Sequence, residues 1–391
     1  MPPRKALIIV HDPFPWAPRA KFGARALKES GWDVRVLCLS ESGKPLREIW
    51  EGIPVRRIPV RRNRERRLAG YLLEYILFFM AAFFWSLYRL FRGHPALVHV
   101  VTPPDPLVFA TLPLRLAGVP VLMDIRDRTP DLFGSKFGEG RPRLQTILRG
   151  VERVCMRFSS RVLTVHGEYR RQLAANGVPE GKISVVLNCP DETVFRPGTA
   201  PAPAAGNRFR VTYHGLLARR YGVDVLVEAA AILRGKIPNL LVEIYGDGDL
   251  RPDLERRIAE CALGETVQLR GFFPVTEIPR LIGNADISAA PNRLDPFMAS
   301  VVNTKVIEAA TLGLAVVASR TPALREYFSD DSIEYCEPGE PASLAGAIER
   351  LYRDPARRRS LGMAAAREAA PFRESVQKTE YLQCVEMLKS S

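Results

Sequence analysis

Residues 301–319 read VVNTKVIEAATLGLAVVAS. The pattern is loop, helix, glycine, strand: a helix beginning near Asn303 or Thr304, a stop at Gly313, and the uncharged run LAVVAS as a buried strand. Two charges, Lys305 and Glu308, sit just inside the start of an otherwise apolar helix. Charge on such an element is costly unless it meets a partner or a ligand, so the stretch reads as one wall of a cleft.

The same alternation runs outward in both directions. Downstream of residue 208, FRVTYHG, LLVEIYG, TVQLRGF, ADISAAP and SIEYC are further strand candidates, and the chain is helical from about Pro355. Upstream, KALIIV, VRVLCL, ALVHVV, VPVLMDI, RVLTVH and KISVVLN read as strands, with a helix from about Arg19 to Ser30 stopped by Gly31. Strands alternating with helices imply parallel sheets wrapped by helices. Between the two sets lies RPGTAPAPAAGNR, residues 196–208, too rich in Pro, Ala and Gly to form a core. It is a linker or a surface loop. The expected organisation is a first Rossmann-like domain over 1–195, a linker over 196–208, a second Rossmann-like domain over 209–371, and a helix over 372–391 packing back on the first domain. At 391 residues the chain suits two such domains. The fold class is α/β, two Rossmann-like domains facing across a cleft, with ligands at the carboxyl ends of the strands.

Composition narrows the function. With 47% hydrophobic and 25% charged residues the chain is globular. A net charge of +13 favours phosphate-bearing partners. The six cysteines are scattered with no CxxC spacing, so a reducing cytosol is expected rather than a zinc site or a disulfide framework. MPPRKALIIVHDPF has too short an apolar run for a signal peptide. Residues 56–67, RRIPVRRNRERR, hold seven arginines against one glutamate, and LAGYLLEYILFFMAAFFWSLYRLF follows. Its uncharged core, Tyr75 to Tyr88, is short for a span. A basic run beside an aromatic-rich helix suits an anionic membrane surface, contacted through 56–92. The alternatives are a buried core helix behind a solvated loop, or a true span. No nucleic-acid-binding motif is present, and nucleic acid is not expected as a partner.

Three constellations carry chemistry. YHGLLARRYGVDVLVEAAAIL places Gly215, Arg219, Arg220 and Gly222 between a strand and a helix, which suits a diphosphate or else is a solvated loop. YGDGDL, with Gly246, is not a full GxGxxG; its Asp247-x-Asp249 is a metal pair or a tight turn. In the opening stretch, Asn303 or Thr304 caps a helix whose free amides suit phosphate, Lys305 adds a cation, and Glu308 accepts two ribose hydroxyls or pairs with Lys305.

Taken in order, FPWAPRAKFGARALKESGWDV, VVLNCPDETVFRP, YHGLLARRYGVDVLVEA, VEIYGDGDL, VQLRGFFP, PNRLDPFMASVVNTKVIEAATLGLAVVAS and TPALREYF resemble family 4 glycosyltransferases of the GT-B fold, over nearly the whole chain. The resemblance implies a retaining transferase that takes a nucleotide-diphosphate sugar and moves the sugar to a glycan or lipid-linked acceptor, with 1–195 as the acceptor-binding domain and 209–371 as the nucleotide-sugar-binding domain. The first loop, HDPFPWAPRA, is similar to those of polysaccharide and lipopolysaccharide enzymes, implying bacterial polysaccharide synthesis on the inner face of the cell membrane. Glu308 matches the second Glu of the family's Glu-x7-Glu motif, implying ribose contact. Ser300 stands where the first Glu belongs, and Tyr221 where a Lys is common. Arg219 or Arg220, with Lys305, is then expected to hold the diphosphate. Arg270 and Gly271 match the region beside the nucleobase. Asp127 and Asp131 match acceptor-side acids in DIRDRTPDLF, with Arg126 in place of a histidine. His166, at a strand end, either lines the acceptor side or is a satisfied structural histidine. No metal or other cofactor is expected, because cations and a helix start can stabilise the departing diphosphate. The competing functions are a nucleotide-sugar epimerase on the same fold and a non-catalytic membrane-associated partner.

Overall fold

The computed structural model describes residues 3–61, 68–137, 142–197 and 208–388. Most of the linker expectation and the second half of the arginine run, 62–67, lie outside the described residues. The chain divides into two compact units, Met1–Asn188 with Gln377–Ser391, and Cys189–Val376.

The first unit is built on an eight-stranded sheet. Its strands are β1 (Lys5–Pro13), β2 (Asp33–Ser40), β3 (Arg47–Trp50), β4 (Ile53–Arg61), β5 (Leu97–Thr102), β6 (Val121–Ile125), β7 (Arg161–Thr164) and β8 (Ile183–Val185), in the order β3-β4-β2-β1-β5-β6-β7-β8. All neighbours are parallel except the β3–β4 hairpin. That hairpin corrects the reading of residues 56–61 as part of a basic loop. Trp50 pairs with Ile53 across Glu51 and Gly52, whose φ values of 45° and 72° make a tight two-residue turn. Ile53, Val55 and Ile58 are buried. Arg57 is 2% exposed and donates to the carbonyls of Pro45 and Phe14 while pairing with Glu48 at 2.7 Å. Part of the arginine run is therefore structural.

The second unit has six parallel strands: β9 (Phe209–His214), β10 (Leu240–Tyr245), β11 (Val267–Gly271), β12 (Ile287–Ala290), β13 (Ala315–Ser319) and β14 (Ile333–Cys336). Their order is β11-β10-β9-β12-β13-β14. The direction of winding reverses between β9 and β12, and between β1 and β5 in the first unit, so a crevice opens at each carboxyl edge at these points. The central strands are buried on both faces, which is why they read as near-continuous apolar runs.

The C-terminal helix, Glu374–Met387, contributes its residues from 377 onward to the first unit. Gln377 accepts from the Leu187 amide at 2.7 Å, and Tyr381 Oη lies 3.0 Å from His99 Nδ1. His99 Nε2 lies 3.2 Å from Asp124, which also takes the Arg19 guanidinium at 2.7 Å. Arg19, Asp124, His99 and Tyr381 are all nearly inaccessible. The buried charges are thus paired and hydrogen-bonded, and Arg19 holds the Asp124 carboxyl well below the usual range against the opposing effect of burial. The six cysteines are free.

Candidate active site

In the second unit the β9/β12 switch point gathers most of the expected donor residues. His214 ends β9, and Gly215 follows at φ 130°. The helix Thr304–Thr311 begins beside it, with Asn303 at the N-cap. Asn303 makes no side-chain cap bond, correcting the expectation that it caps the helix. The first amides therefore lack the capping oxygen that Asn303 would have supplied.

Glu308, one turn on, takes a hydrogen bond from His214 Nε2 at 2.7 Å. Its partner is thus His214 and not Lys305. Lys305 turns inward and is 7% exposed. Its ammonium donates to Tyr213 Oη at 2.9 Å and lies 4.1 Å and 4.5 Å from the ring centres of Tyr213 and Tyr221. Burial pushes its pKa down to about 7, with the Glu308 charge pulling the other way. Tyr221 stands where the family commonly has a lysine, so the Lys305 ammonium arrives against that residue from another helix.

Two glycines bring the surrounding loops into backbone contact. A Cβ on Gly246, at φ 147°, would sit 1.8 Å from the Gly215 carbonyl oxygen, and one on Gly222, at φ 64°, would sit 1.7 Å from that of Pro291. Gly246→Ala is therefore expected to destabilise the protein by more than about 3 kcal/mol, read from the denaturant midpoint; a loss under about 1 kcal/mol contradicts this packing. Gly222 also opens the helix Val223–Leu233, which has no side-chain cap. Just before it, Arg219 is exposed, and the Arg220 guanidinium lies over Tyr221 and Phe297 at 5.8 Å and 5.6 Å.

The remaining residues expected on the donor side are placed as follows. Ser300 is 4% exposed and follows a short helix, Pro296–Ala299. Asp295 creates that helix by accepting from the Met298 amide at 2.7 Å. Thr304 is exposed at the helix start. Arg270 is held by Glu243 at 2.7 Å, and the Gly271 carbonyl accepts from the Gly246 amide at 2.7 Å. Asp247 accepts from the adjacent Gly248 amide at 2.9 Å, as a tight turn requires.

In the first unit, the residues expected on the acceptor side lie beyond the carboxyl ends of β6 and β7. Arg126 bridges Asp127 at 3.0 Å and Asp12 at 3.4 Å. Arg128 takes Asp131 at 3.3 Å and the buried Glu152 at 2.8 Å. Burial, opposed by Arg128, raises the Asp131 pKa. His166 is the N-cap of the helix Gly167–Ala175: its Nδ1 accepts from the Tyr169 amide at 3.2 Å, which leaves the proton of the neutral ring on Nε2. Asp105, which follows β5, is 2% exposed. Burial, with Glu152 nearby, pushes its carboxyl up to about 7. A carboxyl raised from 3.8 keeps its proton in the fold while the unfolded chain loses it, so stability falls as pH rises from about 4 to 7. Asp105→Asn is expected to remove that slope and raise the melting temperature at pH 8; an unchanged pH profile contradicts the assignment.

His214, Tyr213 and Asp105 were not expected to be special from their sequence surroundings. The signal for His214 was its place immediately before the strand-end Gly215.

Residues 200–368 match the family model described as "Glycosyl transferases group 1", and residues 23–189 match "Glycosyl transferase 4-like domain". The chain is 27% identical over 354 residues to 2-deoxystreptamine glucosyltransferase of Streptomyces kanamyceticus, covering 85% of this chain and 88% of the relative. It is 31% identical over 178 residues to alpha-D-kanosaminyltransferase of the same organism, covering 41% of this chain and 40% of the relative. A third relative, D-inositol 3-phosphate glycosyltransferase of Arthrobacter, is matched at 30% identity over 46% of this chain and 44% of its own length. The matches to these last two relatives thus span less than half of their lengths. Among solved structures, sucrose-phosphate synthase of Thermosynechococcus elongatus superposes with a TM-score of 0.78 at 18% identity, over 99% of this chain and 100% of that one. Anabaena HepE in complex with UDP-glucose superposes at 0.73 and 18%, over the same shares. The tandem family models, the paired parallel sheets and these likenesses agree: the chain belongs to the family 4 glycosyltransferases and is a glycosyltransferase of the GT-B fold.

Proposed function

We propose that this glycosyltransferase takes a nucleoside-diphosphate sugar and transfers the sugar, with retention, to a hydroxyl of a glycan or lipid-linked acceptor. Its setting is bacterial polysaccharide or lipopolysaccharide synthesis, in the cytoplasm at the inner face of the cell membrane. The observation that carries the donor assignment is the meeting of Glu308, Lys305 and Gly215 at the β9/β12 switch point. A carboxylate oriented by His214 suits a ribose diol. Lys305, Arg219, Arg220 and the amides at residue 304 suit a diphosphate. HepE, which shares the fold, is described in complex with UDP-glucose.

In the proposed reaction the bond between the sugar C1 and the diphosphate oxygen breaks, and a bond from the acceptor oxygen to C1 forms on the same face. The acceptor proton passes to the departing phosphate, so no protein nucleophile is needed. The cations and the helix start stabilise the charge that develops on the diphosphate. Asp127, Asp131 and His166 are assigned to the acceptor side.

The test is incubation of the purified protein with nucleotide sugars and a bacterial lipid or glycan extract. Release of one nucleoside diphosphate together with a product of retained anomeric configuration supports the reading. Inverted product, or isomerised sugar without acceptor, overturns it. Because charge neutralisation is assigned to protein cations, EDTA is expected to leave the rate unchanged; a rate that falls with EDTA and returns with a divalent cation contradicts that assignment.

A further inference from the structure

The helix Leu68–Phe91 packs one face on the core of the first unit and leaves the other open. On the packed side, Phe78 and Ala82 join the core, and Glu74, 1% exposed, lies 3.4 Å from His11. On the open side, Leu72, Leu73, Ile76, Leu77, Met80, Phe84, Tyr88 and Phe91 are each between 43% and 79% exposed. At 100° per residue all eight fall within an arc of about 160°, and they run about 28 Å along the axis. By length and composition, Gly70–Phe91 is long and apolar enough to cross a membrane. Crossing would strip Phe78 and Ala82 from the core and place the Glu74–His11 pair in hydrocarbon, which the packed face argues against.

At the far end of this helix, on the amino ends of β1, β2 and β4, lies a recess of about 450 Å³ lined by Arg35, Arg47, Arg56, Trp85 and Tyr88. Arg47 and Arg56 are direct cross-strand partners, so two like charges share one sheet face. The Arg56 guanidinium lies 4.2 Å over Trp85, and Arg35 Nε is buried with no hydrogen-bond partner. Two acids lie near these cations: Asp33, 4.0 Å from Arg35, offsets it in part, and Glu48, which also lines the recess, is taken by the buried Arg57. The cluster is therefore positive and under-neutralised, beside aromatic rings and at the end of an apolar stripe.

We propose that this face is a docking surface for an anionic phospholipid bilayer. The apolar stripe enters the interface, and the Arg35–Arg47–Arg56 recess receives a lipid phosphate. This rests on the membrane placement proposed above and is independent of the donor site. The other end of the helix lies toward the carboxyl ends of the strands, where Tyr75 packs on His11 at 4.5 Å. The stripe thus runs from the acceptor-side end of this unit to the arginine recess, which suits a lipid-linked acceptor.

The test is flotation of the full chain with vesicles of phosphatidylcholine alone and of an equal mixture with phosphatidylglycerol. Three arginines predict a preference of about a hundredfold for the anionic vesicles, lost at high salt. Arg47→Glu is expected to lower binding to anionic vesicles about tenfold or more. The exposed double change Leu77→Glu with Phe84→Glu is expected to abolish it. Matched thermal unfolding and an unchanged nucleotide-induced stabilisation in both variants show that fold and donor site are intact. Wild-type flotation alone, which needs no variant, overturns the proposal if neither vesicle binds or both bind equally. Anionic binding that Arg47→Glu leaves unchanged overturns the recess. Competition by soluble glycerol phosphate shows a free-phosphate site instead. A dimer by sedimentation that Leu77→Glu with Phe84→Glu makes monomeric shows that a second copy covers the face.

Discussion

Lys305→Met is expected to lower transfer about a hundredfold while making the folded protein more stable at neutral pH. The two effects have one origin. The Lys305 ammonium is buried against two tyrosine rings, where its pKa falls to about 7 from 10.5. The unfolded chain therefore binds more protons between pH 7 and 10.5, and stability rises with pH across that window. Below pH 7 the full cost of the buried charge is present, on the order of a few kcal/mol, and above 10.5 it is gone. Met fills similar volume without the charge. Its stabilising effect should thus be largest at pH 7 and vanish by about pH 10.5, in thermal or denaturant unfolding. A diphosphate beside the ammonium restores its charge, so nucleotide affinity in the wild type should weaken as pH rises above 7 and stay flat in the variant. The rate loss follows from removing one preorganised donor to a developing anion, which typically costs 10²–10³ in rate. Equal activity in the variant, or a stability loss at every pH, contradicts the placement of Lys305.

Glu308→Ala is expected to weaken nucleotide binding about a hundredfold and transfer by at least as much. Two hydrogen bonds from ribose hydroxyls to a carboxylate are each worth about 1.5–3 kcal/mol, and the change also leaves His214 Nε2 without its acceptor. His214→Ala, which removes only the orienting group, should raise KM more than it lowers kcat and cost about tenfold. An unchanged nucleotide affinity in Glu308→Ala would show that the ribose lies elsewhere.

The strands were legible because parallel strands buried on both faces exclude charge along their length, as in LAVVAS and LVHVV. The β3–β4 hairpin was not, because its apolar alternation is interrupted by Pro54, Pro59, Arg56 and Arg57. Nothing in the spelling of Arg57 tells that its guanidinium satisfies the carbonyls of Phe14 and Pro45. In the site, Glu308 and Lys305 stood out as charges on an apolar helix. Their true partners did not, since His214 lies 94 residues away from Glu308 and Tyr213 lies 92 from Lys305. Local pattern reports which face an element buries. It is silent on which distant side chain meets it there. The departure at Tyr221 is the instructive case: read along the chain a cation is missing, while in the fold an ammonium reaches the same ring from another helix.

The most direct measurement is thermal stabilisation of the purified protein across UDP, GDP, ADP, CMP and dTDP, in the wild type and in Glu308→Ala. A selective rise with one nucleoside diphosphate that disappears in Glu308→Ala is the predicted result, and it also names the base of the donor. A folded wild type stabilised by none of them, or a Glu308→Ala variant stabilised as strongly as the wild type, would contradict the assignment of the donor site to the β9/β12 switch point.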